Sequence, residues 1–331
     1  MANMGTVTQK KASSAAIWAA MITVYIVWGS TYLAIMFAVE SIPPFLMAGV
    51  RWLTAGVILY LWRRLAGDPR PKLIHLRSAA IVGILLVVGG NGLVSWAEQV
   101  VPSSITALLV GSVPLWIMLM EILRGIIGKK DTRPSWVAIV GILMGFGGIV
   151  LLVGPWQQAG DFGSVNLVGA GVLLLASIFW AGGSLYSRGA KLPESPLMGT
   201  ALESLVGGAG LLVVASLTGE WGHLNLAAVN LKSLLGLLYL IVFGSLVGFA
   251  SYTWLLRAAP VTLVSTYAYV NPVIAVFLGA MLASEPLTPR VIIAALVILG
   301  SVALITRTPS VRRRIKRSPP GPAVPVEVRD N

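Results

Sequence analysis

The sequence predicts an all-α integral membrane protein of ten transmembrane helices arranged as two inverted five-helix repeats. Three observations predict it: ten long apolar runs, a motif frame that occurs twice, and a one-sided distribution of basic residues. The 331 residues are 56% apolar and only 11% charged, with a mean hydropathy of +0.86. A soluble chain carries about 25% charged residues, so two soluble domains could not hide this much hydrocarbon. The formal charge of +12 would suggest nucleic acid if it formed a patch on a folded surface. The basic residues instead fall in short segments between apolar runs, so no nucleic-acid partner is expected. There is no cysteine, which excludes disulfides and thiolate metal sites.

A bilayer core of about 30 Å needs about 20 apolar helical residues. Runs of that kind cover 17–37, 44–62, 78–97, 103–123, 135–153, 167–186, 197–217, 234–255, 261–283 and 289–306. The first follows Lys10 and Lys11 but is too long for the 7–15-residue apolar core of a secretion signal, so it is read as a spanning helix. The run 234–255 is the least clear, because Gly244 to Gly248 interrupts it. Helices are required because lipid offers no partner for an exposed backbone amide or carbonyl.

The repeated frame is Trp96, Pro102 and Pro114, which recurs as Trp254, Pro260 and Pro272 at a constant offset of 158. A second set, Trp28, Pro44 and Gly56, recurs as Trp180, Pro196 and Gly208 at an offset of 152. Repetition at a fixed period marks a duplicated unit. The expected division is an N-terminal segment 1–16, a first repeat 17–153, a second repeat 167–306, and a tail 307–331. The tail's Arg312-Arg313-Arg314-Ile315-Lys316-Arg317 and its prolines read as disordered and basic, in contact with anionic lipid.

With the N-terminus placed in the cytoplasm, 21 Lys and Arg residues fall on the inner side: Lys10, Lys11, Arg63, Arg64, Arg70, Lys72, Arg77, Arg124, Lys129, Lys130, Arg133, Arg188, Lys191, Arg257 and seven in the tail. Only Lys232 and Arg290 fall outside, and Arg51 lies within a helix. The positive-inside rule then puts both termini in the cytoplasm. Five helices per repeat is an odd number, so the two copies enter the membrane in opposite directions. Secondary transporters are often built this way, with the substrate site near the midplane between the copies.

Trp28-Gly29-Ser30-Thr31-Tyr32, Pro44, Arg51, and Pro102 to Pro114 resemble the first half of the EamA family of the drug/metabolite transporter superfamily. Trp180, Tyr269-Val270-Asn271-Pro272, Glu285-Pro286-Leu287-Thr288 and Gly300 resemble its second half, and Trp96-Ala97-Glu98-Gln99 looks most like the YedA-type subgroup. The resemblance spans residues 17 to 306. It implies a carrier of small metabolites, such as amino acids or related compounds, commonly an exporter, in the bacterial inner membrane. The family usually has Gly-Glu between the fourth and fifth helices, where this chain has Gly128-Lys129-Lys130-Asp131; the second copy keeps Glu285 but puts Ser284 before it.

Candidate substrate-binding residues are Trp28, Thr31, Tyr32, Asn91, Trp180, Tyr267 and Asn271, aromatic or polar groups inside apolar runs. Tyrosines and tryptophans there line a cavity or anchor an interface, and the two asparagines contact substrate or bond across helices. Glu98 and Gln99 form either an outer-vestibule contact or an exposed interfacial pair. Pro114 and Pro272 each delete a backbone donor near mid-helix, which makes them kinks or gates; Gly244 and Gly248 are hinge candidates. Arg51 and Glu203 match at the 152 offset, each ~10 Å into its helix from opposite ends at about 1.5 Å per residue, so they are not expected to pair. Arg51 is expected to snorkel outward with a structural role. Glu203 is the candidate proton site if transport is proton-coupled, or else a structural acid bonded to a neighbouring helix.

The two histidines, His75 and His223, fall on opposite membrane sides, and no catalytic triad or metal-spaced cluster appears. No enzyme activity, metal or cofactor is expected. The absence of a P-loop motif leaves gradients as the energy source. A passive channel or lipid flippase is the nearer alternative, and an integral membrane enzyme or scaffold the more distant one. The expected partners are a small-molecule substrate and the bilayer, with a homodimer left open.

Overall fold

A computed structural model describes residues 13–127, 135–154, 156, 165–259, 261–264 and 266–307. The basic tail, most of the N-terminal segment, Pro260 and the Gly128 to Asp131 loop lie outside the described residues. Among those described there are ten helical crossings and no strand. They are α1 (Ser14–Val39), α2 (Pro44–Leu65), α3 (Leu73–Ala97), α4 (Ser103–Val110 and Val113–Ile127), α5 (Trp136–Val153), α6 (Leu167–Ser187), α7 (Pro196–Leu217), α8 (231–258), α9 (Val261–Val264 and Tyr267–Leu282) and α10 (Pro289–Arg307). The chain is an all-α membrane protein of two inverted five-helix repeats.

Helix starts are written locally. Ser13, Ser135, Asn166, Ser195 and Asn230 each accept a backbone N–H of the first turn of α1, α5, α6, α7 and α8, the usual N-cap geometry. The repeat-matched Pro44 and Pro196 both stand at the start of their helices, where a missing N–H costs nothing. α2 and α4 have no side-chain cap of their own. Carboxylates from the second repeat supply it. Glu220 accepts from Phe45 N at 3.2 Å and Leu46 N at 2.8 Å. Glu285 accepts from Ser103 N at 2.7 Å, Ser103 Oγ at 2.8 Å and Ser104 N at 2.9 Å. Both caps lie at the Glu40 end of the bundle, the end that carries the α1–α2 loop.

The repeats meet most extensively through α2 and α7. A Cβ on Gly56 would come within 2.8 Å of Leu205 N, and one on Gly208 within 2.5 Å of Leu53 N. The two glycines that mark the duplication in sequence thus face each other's helix across the inversion axis. Lipid provides no hydrophobic drive between helices, so close backbone approach of this kind is what holds them.

The weak eighth run is a continuous crossing after all. Its centre, Leu240–Val247, is π-helical, and so is Ile84–Gly92 of α3, the equivalent place at the 158 offset. Glycines do not open the helix there, because every backbone group still needs a partner; the i→i+5 pattern widens the helix instead. Only one of the two prolines sits as expected. Pro272 lies inside α9, but α4 turns at Gly111–Ser112 and Pro114 falls in the first turn of the segment that restarts at Val113. Gly111 is where α4 and α9 touch: a Cβ there would lie 3.0 Å from the Pro272 ring.

Candidate functional site

Trp28 is the centre of an aromatic cluster that joins α1 of the first repeat to α8 and α9 of the second. Its ring lies 5.5 Å from Phe249, 5.0 Å from Tyr252 and 5.3 Å from Tyr267. Its indole Nε1 donates to Gly244 O at 3.3 Å, inside the π-helical stretch, and the indole rests on Gly248. One helical turn on, Thr31 puts its methyl against Gly244 and donates its hydroxyl to Trp28 O at 2.7 Å. Ser30 bonds Tyr239 at 2.6 Å. Trp28, Ser30 and Thr31 of α1 therefore all meet the 239–248 segment of α8.

The sequence had put Arg51 at the membrane surface. The structure puts it in the interior, 4% exposed. Its Nε donates to Ser245 Oγ at 3.1 Å, and its guanidinium lies 4.8 Å over the Trp52 ring. Trp52 in turn meets Phe249 edge-on at 5.4 Å. A route outward would have cost the stacking and the hydroxyl bond, and Gly244 leaves room for the guanidinium beside α8. Sequence reasoning missed this seat, and Ser245, Phe249 and Tyr252 with it. No signal in the sequence joins them, since Ser245 is 194 positions from Arg51.

Trp180 occupies the matching seat in the other half. A Cβ on Gly90, the repeat equivalent of Gly248, would come within 2.8 Å of the Trp180 ring. Each tryptophan thus lies on a glycine in or beside the π-helical stretch of the opposite repeat. No ring contact joins Trp28 to Trp180 among the described residues. Asn91 stands at the position that Phe249 fills in the second repeat, with its backbone carbonyl accepting from Ser95 Oγ at 3.0 Å. Asn271 is 6% exposed, its Oδ1 lacks a hydrogen-bond partner, and its carbonyl borders Gly29. Tyr32 packs on the main core cluster.

Glu98 and Gln99 help to line a cavity of about 500 Å³ with Met36, Val39, Glu40 and Pro102. Glu98 is 4% exposed and no side-chain donor reaches either of its oxygens. Glu203 is distant from this cluster, in α7, where its backbone carbonyl packs on Gly83 of α3. At the far end of the bundle, Glu121 and Arg188 pair at 2.9 Å across the repeats; Tyr25, about midway along α1, bonds Thr266. In the α2–α3 loop, Arg63 and then the Ser195 hydroxyl hold the Asp68 carboxyl below its usual range.

Ten crossings in inverted halves around an interior polar and aromatic cluster define a membrane transporter. The family model described as the EamA-like transporter family matches residues 14–154 and again 167–307, and the chain belongs to that family. It is 40% identical over 292 residues to the uncharacterised inner membrane transporter YedA of Escherichia coli (strain K12), covering 88% of this chain and 90% of that one. It is 24% identical to the uncharacterised transporter YoaV of Bacillus subtilis (strain 168), over 88% of this chain and 97% of that one. A solved crystal structure, 21% identical, superposes with a TM-score of 0.57 over 89% of this chain and 98% of its own, which speaks for the fold alone.

Proposed function

We propose that this protein is a secondary transporter that exports small metabolites, such as amino acids or related compounds, by alternating access across the bacterial inner membrane. The observation that carries the reading is the pair of equivalent seats, Trp28 on Gly248 and Trp180 on Gly90. They join opposite repeats at widened, π-helical positions, and an inverted pair of such contacts is what a rocking exchange between two repeats needs. The location follows the charge split and the inner-membrane name of the 40%-identical relative, with both termini cytoplasmic and the Glu40 end periplasmic.

In this reading Trp28, Thr31, Tyr32, Asn91, Trp180, Tyr267 and Asn271 meet the substrate along its path. Glu98 and Gln99 form the outer vestibule, Glu203 carries the coupled proton, and Pro114, Pro272, Gly244 and Gly248 are where the helices flex. Metabolite profiling of cells and medium, with and without the protein, names the solute. Counterflow of that solute into proteoliposomes is then expected to saturate and to be trans-stimulated. Linear, unsaturable flux would mark a passive channel and end the carrier reading.

A further inference from the structure

The geometry points to Arg51 as the residue that binds a carboxylate on the transported solute. This rests on the carrier reading above and adds to it a recognition group and a substrate chemistry.

Guanidinium stays charged at any accessible pH and offers five N–H donors in a rigid fork. Arg51 uses Nε on Ser245 and one face on Trp52, while Nη1 is buried without an acceptor. Among the described residues no carboxylate comes within ion-pair distance of it. An ionised side chain within a membrane-spanning helix faces the protein interior and finds a partner or marks a substrate path. Here the orienting contacts are in place and Nη1 still lacks an acceptor. Ser245 and Trp52 fix the fork, so that little freedom is lost when an anion arrives.

The surroundings say what kind of anion. The seat is bounded by Trp52, Phe249 and the Trp28 cluster, which suits a carboxylate on a compact apolar or aromatic body and not a heavily hydrated polyanion. Glu98, at the end of α3, borders the 500 Å³ cavity, and Arg51 lies two turns deeper from that same end, in α2. A solute entering from that cavity therefore meets an acid first and the guanidinium beyond it. An ammonium group on the same solute would find an acceptor in the Glu98 carboxyl, whose oxygens have no hydrogen-bond partner. The same site in the second repeat cannot do this: the equivalent of Arg51 is Glu203, and that of Ser245 is Val87.

The test uses the purified full-length protein in lipid nanodiscs. Two matched series are titrated, the L-amino acids alanine, leucine and phenylalanine and their C-terminal amides, with melting temperature and tryptophan fluorescence as readouts. At least one amino acid is expected to bind saturably, and its amide at least about tenfold more weakly, as loss of a charge-assisted bidentate pair implies. Arg51→Gln is expected to abolish the preference for acid over amide. Arg51→Lys keeps charge and bulk, provides a folded comparison should Arg51→Gln fail to accumulate, and is expected to weaken the acid about tenfold through loss of the fork. Equal binding of acid and amide, an unchanged preference in Arg51→Lys and Arg51→Gln, or no saturable binding of any acid would each overturn the assignment. Saturable counterflow of a solute without a carboxylate would overturn it too while leaving the carrier reading intact.

Discussion

The Trp28 indole rests directly on Gly248: a Cβ on that glycine would fall 2.9 Å from Trp28 Cδ1 and closer still to Nε1. The contact joins the first helix of one repeat to the eighth helix of the chain just past the end of its π-helical stretch, and the bond from Nε1 to Gly244 O lies one turn away. Trp180 and Gly90 repeat the relationship.

Adding a methyl at either glycine is therefore an overpacking change, which costs about 1–3 kcal/mol. Gly248→Ala and Gly90→Ala are each expected to lower thermal stability by that order and to slow transport. Trp28→Phe removes the atom that clashes with a methyl on Gly248, so the double variant should recover part of the Gly248→Ala loss. Strict additivity in detergent-solubilised melting would show that the two residues do not bear on one another. Taken singly, Trp28→Phe and Trp180→Phe are expected to shift the apparent affinity for substrate at unchanged membrane abundance.

Ser284 takes the place of the family's glycine and has φ of +53°, the single positive value among described non-glycine residues. The turn it makes brings Glu285 back, with Glu285 N on Gly279 O at 3.1 Å, and aims the carboxylate at the start of α4. The left-handed region costs an L-residue about 1–2 kcal/mol. Ser284→Gly should thus stabilise the protein by about 1 kcal/mol, and Glu285→Ala should cost about 0.5–2 kcal/mol as the lost cap of α4. A Ser284→Gly variant that melts lower than the parent would refute the strain argument.

Topology can be read cleanly because the chain has no cysteine. Leu226 and Arg70 are both exposed, in loops at opposite ends of the bundle. A cysteine at Leu226 is expected to react with an impermeant maleimide on intact cells, and one at Arg70 only after lysis. The converse labelling pattern would invert the orientation drawn from the charge split.

Among the described residues no ion pair holds Glu203, and it sits where Arg51 sits in the first repeat. Glu203→Gln is expected to retain substrate exchange in proteoliposomes while losing acceleration by an imposed pH gradient. If the Gln variant still accumulates substrate against its gradient when driven by protons, the coupling site is elsewhere.

The helix count and the inversion follow from the sequence alone, and the proposed orientation is drawn from it, because all three rest on one-dimensional quantities. A run long enough to cross hydrocarbon, an odd number of such runs per copy, and the side on which Lys and Arg fall need no knowledge of contacts. Trp28, Tyr267 and Asn271 stand out in the sequence as candidates, being polar or bulky groups inside apolar runs. Which groups meet was decided by tertiary structure. Arg51 looked like a residue that would reach the surface, since its own helix gives no sign of Ser245, which is 194 positions away. Gly244 and Gly248 looked like a break, whereas packing against α1 and the demand for backbone partners keep the helix whole and widen it. Helices α2 and α4 carry no cap in their own sequence; inversion of the repeats brings Glu220 and Glu285 to them. In a membrane, spans are fixed by each segment's partition between lipid and water, but the pairing of polar groups is a property of the assembled bundle.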